Sequence, residues 1–301
     1  MVGIVILNYE NWDDTKCCVE SIYKNTHGVD YQIILVDNAS MCAPSFDLEA
    51  FLKRYKIQFI KNKKNTGYNA GNNLGIAMAL KLHCDQVLVS NNDVRFFQGS
   101  IKRLQDCLKS YPRAGIAGPK VLDPSGYLQK SCICKKTGLK EKYLVRTRAN
   151  FIFRKSRRAY FGDDRNYKQM FEAYAVLGCC FMMTEQCARA VTPFDEHPFL
   201  YEEELMLGIR MEEQGFVTIY CPSASVVHLH GASTRRRKAF AFIQNVRSEI
   251  YYCRSYLHAK NWQVYPLYCY RVALYLMRCI RYRDFRKNWR RFLKITQKEF
   301  H

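Results

Sequence analysis

No apolar run in this sequence approaches the roughly 20 residues a helix needs to span a bilayer, so a membrane-spanning anchor is not expected. Met1 leads straight into the strand-like run Val2–Leu7, and no secretory leader is expected. Acidic residues are scarce, 27 against 47 Lys and Arg, and the deficit is uneven. From residue 235 to 301 there are 17 Lys and Arg and three acids, Glu249, Asp284 and Glu299; the first 234 residues carry a net charge of only +6. That distribution argues against a chain built throughout to coat nucleic acid, and for a compact body with a basic docking region. Fourteen cysteines are present, but no C-x-x-C and no zinc-type spacing. They read as reduced thiols in a cytoplasm, mostly small apolar packing residues. G-x-G-x-x-G and G-x-x-x-x-G-K-[ST] are also absent, which weakens dehydrogenase and P-loop readings.

What is present is an alternation. Val2–Leu7, Ile33–Val36, Ile57–Ile60 and Gln86–Val89 read as buried strands. Between them, Trp12–Asn25, Leu48–Tyr55 and Ala70–Lys81 read as helices. Continuous apolar strands alternating with helices predict a parallel sheet covered on both faces. Ligands in such sheets bind beyond the carboxyl ends of the strands. All four strands end in polar residues: Asn8-Tyr9, Asp37-Asn38, Lys61-Asn62 leading to "NTGYNAGNN", and Ser90-Asn91-Asn92-Asp93. One such end is ordinary turn chemistry. Four on the ligand-binding edge predict a nucleotide-type site. Gly67, Gly71 and Gly75 recur every four residues, as suits a tight loop entering a helix packed closely on the sheet. Asp93 offers a hard oxygen ligand for a divalent ion bridging a diphosphate.

Two further clusters follow an irregular basic excursion, residues 134–170, which reads as a mobile segment over the sheet. Glu202-Glu203-Glu204 opens a helix, either for favourable interaction with the helix dipole or to supply a general base. "VVHLHGAST", residues 226–234, offers His228 as a transition-metal ligand facing the same cleft. In the C-terminal segment Arg271, Arg278 and Arg281 fall in one helical stripe, and Val272, Leu276 and Ile280 on another face. That suits a helix lying on an anionic membrane surface, or a helical pair packed on the domain.

Taken in order, "VILNYENWDDTKCCVESI", "ILVDNAS", "NTGYNAGNNLGIAMAL", "VLVSNNDV", "GIAGPKVLDPSG", "VLGCCFMMT", "PFDEHPFLYEEELMLGIRMEEQGF" and "YCPSASVVHLHGAST" resemble the family-2 glycosyltransferases of the GT-A fold. The match is to the bacterial rhamnosyltransferase-like branch of surface-polysaccharide biosynthesis. The resemblance implies an α/β, Rossmann-like, mostly parallel sheet flanked by helices. A GT-A domain would cover residues 1–234, with a nucleotide-binding half at 1–95 and an acceptor and catalytic half at 96–234. A basic helical tail would follow at 235–301.

The resemblance also assigns roles. Asn8, Asp37 and Asn38 would line the pocket for base and ribose, with Asn65, Gly67 and Gly71 shaping it. Asn91-Asn92-Asp93 occupies the D-x-D-like position. Asp93 would hold Mg²⁺ or Mn²⁺ beneath the diphosphate, with His228 as a further ligand. Glu204 would be the catalytic base and Glu203 its backup. Two departures stand out: Glu204 replaces the family's usual Asp, and Asn91 replaces the first acid of D-x-D. The implied reaction is inverting transfer from a nucleotide-diphospho-sugar, dTDP-rhamnose favoured over UDP- or GDP-sugars. The implied acceptor is a saccharide on a lipid carrier, met by an enzyme peripheral to the inner face of the cell membrane. Two other readings stand beside it: a non-catalytic sugar-nucleotide-binding relative, and a basic nucleic-acid-binding protein.

Overall fold

The computed structural model describes residues 1–129, 132–229 and 238–301. Four parallel strands form one half of a nine-stranded sheet: β1 (Val2–Asn8), β2 (Tyr31–Asp37), β3 (Gln58–Lys61) and β4 (Gln86–Asn91). Helices α1 (Trp12–Asn25), α2 (Leu48–Arg54) and α3 (Tyr68–Lys81) connect them. The second half holds β5 (Val94–Phe96), α4 (Ser100–Ser110), β6 (Ala114–Leu122), β8 (Phe171–Ala173), β10 (Cys180–Thr184), α7 (Glu185–Val191), α8 (Glu203–Glu213) and β11 (Val217–His228). The sheet runs β3-β2-β1-β4-β10-β6-β11-β5, with β8 paired to β11. It is mixed: β10 lies antiparallel between β4 and β6.

Alternation along each strand sends side chains to opposite faces. Val2, Ile4 and Ile6 pack with Val19 and Ile22 of α1, whereas Val5 packs with Ile76 and Ala79 of α3. Burial on both faces explains why these strands read as unbroken apolar runs. Local capping sets the helix starts: Asn11 accepts from the Asp14 N–H, Asp47 from Ala50, and Thr184 from Cys187.

The stretch expected to be an irregular excursion is organised. It contains α5 (Leu139–Leu144), a 3₁₀ turn at Arg148–Phe151 and α6 (Arg154–Tyr160), and is flanked by β7 (Cys132–Ile133) and β9 (Ala175–Val176), which pair with each other. Two of its polar side chains, Lys142 and Tyr160, are fully buried, which basic composition alone could not suggest.

The C-terminal segment forms α9 (Lys238–Tyr251), α10 (Asn261–Arg281), α11 (Arg283–Lys287) and α12 (Trp289–Gln297). Their apolar faces join Leu205, Met206 and Ile209 of α8 in one core. The expected helical stripes of α10 are divided differently. Arg271 turns inward, while Leu276 and Ile280 of the expected apolar face are exposed. The packed face is instead Val264, Leu267, Tyr268 and Tyr275, because aromatic rings on α9, α11 and α12 complete it. No helix among the described residues is long and apolar enough to cross a membrane. The expected boundary at residues 234 and 235 lies outside the described residues, as does the end of "VVHLHGAST".

Candidate active site

The polar strand ends meet at one edge of the sheet, stitched together by amides. Asn8, fully buried, donates to Asp37 Oδ1 at 3.1 Å and Ser40 Oγ at 3.2 Å. Its carbonyl accepts from Thr15 at 2.9 Å and Asn92 at 3.1 Å. Four bonds use the hydrogen-bonding capacity of a primary amide. Asn8 therefore ties the ends of β1, β2 and β4 together. Asn92 also donates to the Asn11 carbonyl and Thr15 Oγ1, each at 3.0 Å. Asn38 donates to Asn65 Oδ1 and the Gly67 carbonyl, each at 3.0 Å, and accepts from Asn62 at 3.1 Å. Asn65 Oδ1 also takes the Gly67 N–H at 3.0 Å.

Two atoms at this edge stand uncommitted. Asp37 Oδ1 collects Asn8 and Ser40, and Oδ2 accepts no hydrogen bond among the described residues. The Asn91 side-chain amide likewise has no hydrogen-bond partner among them, while its backbone N–H donates to the Cys179 carbonyl at 2.8 Å. The glycines set distances. A Cβ on Gly71 would lie 2.5 Å from Leu7 Cδ1, so α3 rests directly on β1. Gly67, at φ +91°, would put a Cβ 2.5 Å from the Phe199 carbonyl. The next N–H, of Tyr68, donates to that same carbonyl at 3.0 Å.

Asp93 lies in the turn between β4 and β5, and His228 ends β11 beside it, paired in register with Val94. His228 Nε2 is 3.3 Å from Asp93 Oδ1. Two donors bound at right angles to one ion at about 2.0–2.2 Å would sit about 3 Å apart, so the pair has the spacing of two ligands of one cation. No group of three or more His, Cys, Asp or Glu that could hold an ion occurs among the described residues.

The glutamates stand at the start of α8. Tyr201 (φ +75°) and Glu202 (φ +67°) both adopt left-handed backbone conformations that bend the chain into the helix. Strain of this kind persists only where surroundings over-determine it. Here buried Lys142 pairs with the Glu202 carboxylate, and Arg146 lies 3.8 Å from it. Glu249 of α9 lies 3.9 Å from the same lysine and accepts twice from Arg271 of α10, at 2.7 and 2.8 Å. Burial works most strongly against the Glu249 charge, but the Arg271 hydrogen bonds and the charges of Lys142, Arg271 and Arg146 together outweigh it and hold the carboxyl below its ordinary range. Arg271 also donates to the Arg146 carbonyl at 3.0 Å. The C-terminal helices thus brace the turn that aims the glutamates.

Glu204 Oε1 accepts the Gly178 N–H at 3.0 Å. Tyr68 Oη donates to the Gly178 carbonyl. Burial raises the Glu204 carboxyl, and the Gly178 N–H only partly offsets this. Glu203 is pushed well above the carboxylate range, by burial and then by the Glu204 charge. Its Oε2 is buried without a hydrogen-bond partner. Of the two adjacent, coupled carboxyls, Glu203 is raised the further and keeps its proton to higher pH than Glu204. Both line a cavity of about 20 Å³, room for about one water molecule.

Sequence reasoning misses Tyr68 and Gly178 as site residues, although both fall in stretches it singles out. It also misses Lys142, Glu249 and Arg271, for which no local signal exists.

The strand order and the mostly parallel sheet flanked by helices are those of the GT-A fold. Residues 3–131 match the family model for glycosyl transferase family 2, and this part of the chain is a domain of that family. The chain is 27% identical over 275 residues to N-acetylglucosaminyl-diphospho-decaprenol L-rhamnosyltransferase of Mycobacterium tuberculosis, covering 88% of each. It is 26% identical over 229 residues to the low-salt glycan biosynthesis hexosyltransferase Agl10 of Haloferax volcanii, covering 75% of this chain and 66% of that one. A solved structure of GalNAc-T7 with UDP, GalNAc and Mn²⁺ superposes with a TM-score of 0.57 at 15% identity. The match covers 77% of this chain and 44% of that one, and carries the fold alone.

Proposed function

We propose that this protein is an inverting, metal-dependent glycosyltransferase. It moves a sugar, rhamnose from dTDP-rhamnose favoured, onto a lipid-linked saccharide in bacterial surface-polysaccharide synthesis. One observation supports this above others: the segment Gly178-Cys179 touches both halves of the reaction. The Cys179 carbonyl holds the end of β4, which presents Asn91 and leads to Asp93, and the Gly178 N–H holds Glu204. A donor diphosphate at Asp93 and a base at Glu204 are thereby fixed to one short piece of backbone. The mycobacterial relative, by its name a rhamnosyltransferase acting on a diphospho-decaprenol-linked sugar, supports the lipid-linked acceptor and the rhamnosyl donor.

In this reading Asp37 Oδ2 accepts from the donor's ribose or base, and Asn91 donates to the diphosphate. The amides of Asn8, Asn38, Asn65 and Asn92 hold these groups in place. Glu204, charged and desolvated, takes the proton of the acceptor hydroxyl as that oxygen attacks the anomeric carbon. The nucleoside diphosphate departs from the opposite face, so configuration inverts. A divalent cation held by Asp93 and His228 would neutralise charge developing on the departing diphosphate. The exposed Trp262, Leu276, Met277 and Ile280, with Arg278 and Arg281 on the same helix, suit peripheral contact with an anionic membrane. The test is binding and slow hydrolysis of dTDP-, UDP- and GDP-sugars, each with and without Mg²⁺ or Mn²⁺. Metal-dependent binding with release of one nucleoside diphosphate is expected; no binding of any donor with metal present overturns the reading.

A further inference from the structure

Beside the turn that carries the glutamates, α10 and the segment after α5 border a solvent-open cavity of about 720 Å³. Arg146, Arg148, Arg278 and Arg281 line it, and no carboxylate does among the described residues. Among the described residues, Arg146 alone of the four pairs with an acid, Glu202 at 3.8 Å. Arg148, Arg278 and Arg281 are exposed. Their positions are built: the Arg148 N–H donates to Tyr270 Oη at 3.0 Å, and the Arg278 guanidinium lies 4.4 Å from the Phe242 ring centroid. Burial lowers the Arg278 guanidinium from its ordinary range, Tyr282 partly offsets this, and the charges of Arg271 and Arg148 add to the lowering. Converging guanidiniums match the oxygens of a phosphate. The cavity is apolar on its outer side, where Phe151 and Met277 are 64% and 51% exposed. Ile152 and Ile280 extend that exposed rim. An exposed apolar rim around a cationic floor fits a ligand with a strongly anionic head and a hydrocarbon chain.

We infer that this cavity binds the diphosphate of the polyprenyl-diphosphate-linked acceptor, with the first prenyl units on the Phe151 and Met277 rim. The inference rests on the glycosyltransferase reading and adds the acceptor's anchor point to it. Position supports an acceptor rather than a donor role. Arg146 reaches from the cavity to Glu202, the residue before the paired glutamates, whereas the donor edge is formed by β1, β2 and β4. Two phosphates also account for four guanidiniums better than the single phosphate of a common phospholipid.

The test titrates the full-length protein with farnesyl diphosphate, farnesyl monophosphate and inorganic diphosphate, and with phosphatidylglycerol vesicles. Farnesyl diphosphate is expected to bind at least about tenfold more tightly than the monophosphate or inorganic diphosphate. The double variant Arg148→Ala/Arg281→Ala is expected to lose at least about tenfold of that affinity while keeping its donor-sugar binding. The control Arg283→Ala/Lys287→Ala removes the same charge from exposed positions outside the cavity and is expected to bind farnesyl diphosphate as the parent does. Equal loss in both variants, or a double variant that loses vesicle binding but retains farnesyl diphosphate, overturns the inference. Donor hydrolysis by a protein that fails to bind farnesyl diphosphate would sink the cavity assignment alone. Absence of both donor binding and hydrolysis would sink the glycosyltransferase reading beneath it.

Discussion

Glu204 and Gly178 are joined by one hydrogen bond of 3.0 Å, from backbone N–H to carboxylate. A Cβ built on Gly178 would lie 3.1 Å from that same Glu204 oxygen and 3.4 Å from Tyr68 Oη. The contact therefore fixes where the carboxylate stands, and a side chain at residue 178 would fit only if that carboxylate gave way slightly.

Gly178→Ala should displace the Glu204 carboxylate by a few tenths of an ångström without strain in the backbone, since φ of Gly178 is outside the left-handed region. The expected effect is a fall in kcat of about 10- to 100-fold, with donor Kd unchanged. Steady-state kinetics and a direct donor titration check it; a loss of donor affinity with kcat intact would place Gly178 on the donor side only.

Glu203→Gln should stabilise the protein at neutral and higher pH. The folded carboxyl is raised well above 4.5. Its contribution to stability is complete below the unfolded pKa and disappears as pH rises through the folded one. Glutamine does not titrate, so the advantage of the variant should grow from pH 5 to pH 8. Thermal melting across that range measures it, and a pH-independent difference would contradict the assignment of the proton.

Asp93→Asn and His228→Ala should each weaken Mn²⁺ binding in the presence of donor by at least about 10-fold, the lower bound even for outer-shell partners. Calorimetric titration of Mn²⁺ into the nucleotide complex reads this directly. Unchanged metal affinity in both variants would remove the 3.3 Å pair from the metal site.

Lys142→Met should remove about 3–5 kcal/mol of stability, because it takes the ammonium partner from the buried Glu202 carboxylate and a nearby positive charge from Glu249, which keeps Arg271. The urea midpoint should fall with an unchanged slope. The lowered Glu249 carboxyl adds a pH signature. Its contribution is present above the unfolded pKa and is lost as pH falls through the lower folded value. A loss below about 1 kcal/mol would mean that the network is not stabilising the turn at Glu202.

Much of this was legible from the chain alone because its physics is local. Val2–Leu7, Ile33–Val36 and Gln86–Val89 announce buried strands by composition; Asn8 and Asp37 follow the first two directly, and Asp93 ends the polar tip after the third. Strand ends on one edge of a parallel sheet meet whatever else the fold does. Gly71 is legible for the same reason: its four-residue spacing from Gly67 and Gly75 implies the close helix contact seen against Leu7. What escaped depends on distant partners. Nothing near Lys142 says that it is buried against Glu202, 60 residues on. Nothing near Arg271 says that it turns inward to Glu249. Asn8 and Asn92 were legible as site residues, but not their bond to each other across 84 residues, which makes them the frame of the donor edge.

The most direct test is transfer by the parent and by Glu204→Gln from dTDP-rhamnose to a short-chain prenyl-diphosphate-linked N-acetylglucosamine, followed by NMR of the anomeric centre. The account predicts an inverted linkage from the parent. It predicts a variant slower by about 10²- to 10⁴-fold with donor affinity unchanged. Its rate should also lack the acidic limb that the raised Glu204 carboxyl gives the parent above pH 4.5. A retained anomeric configuration, or a variant as fast as the parent, would contradict it.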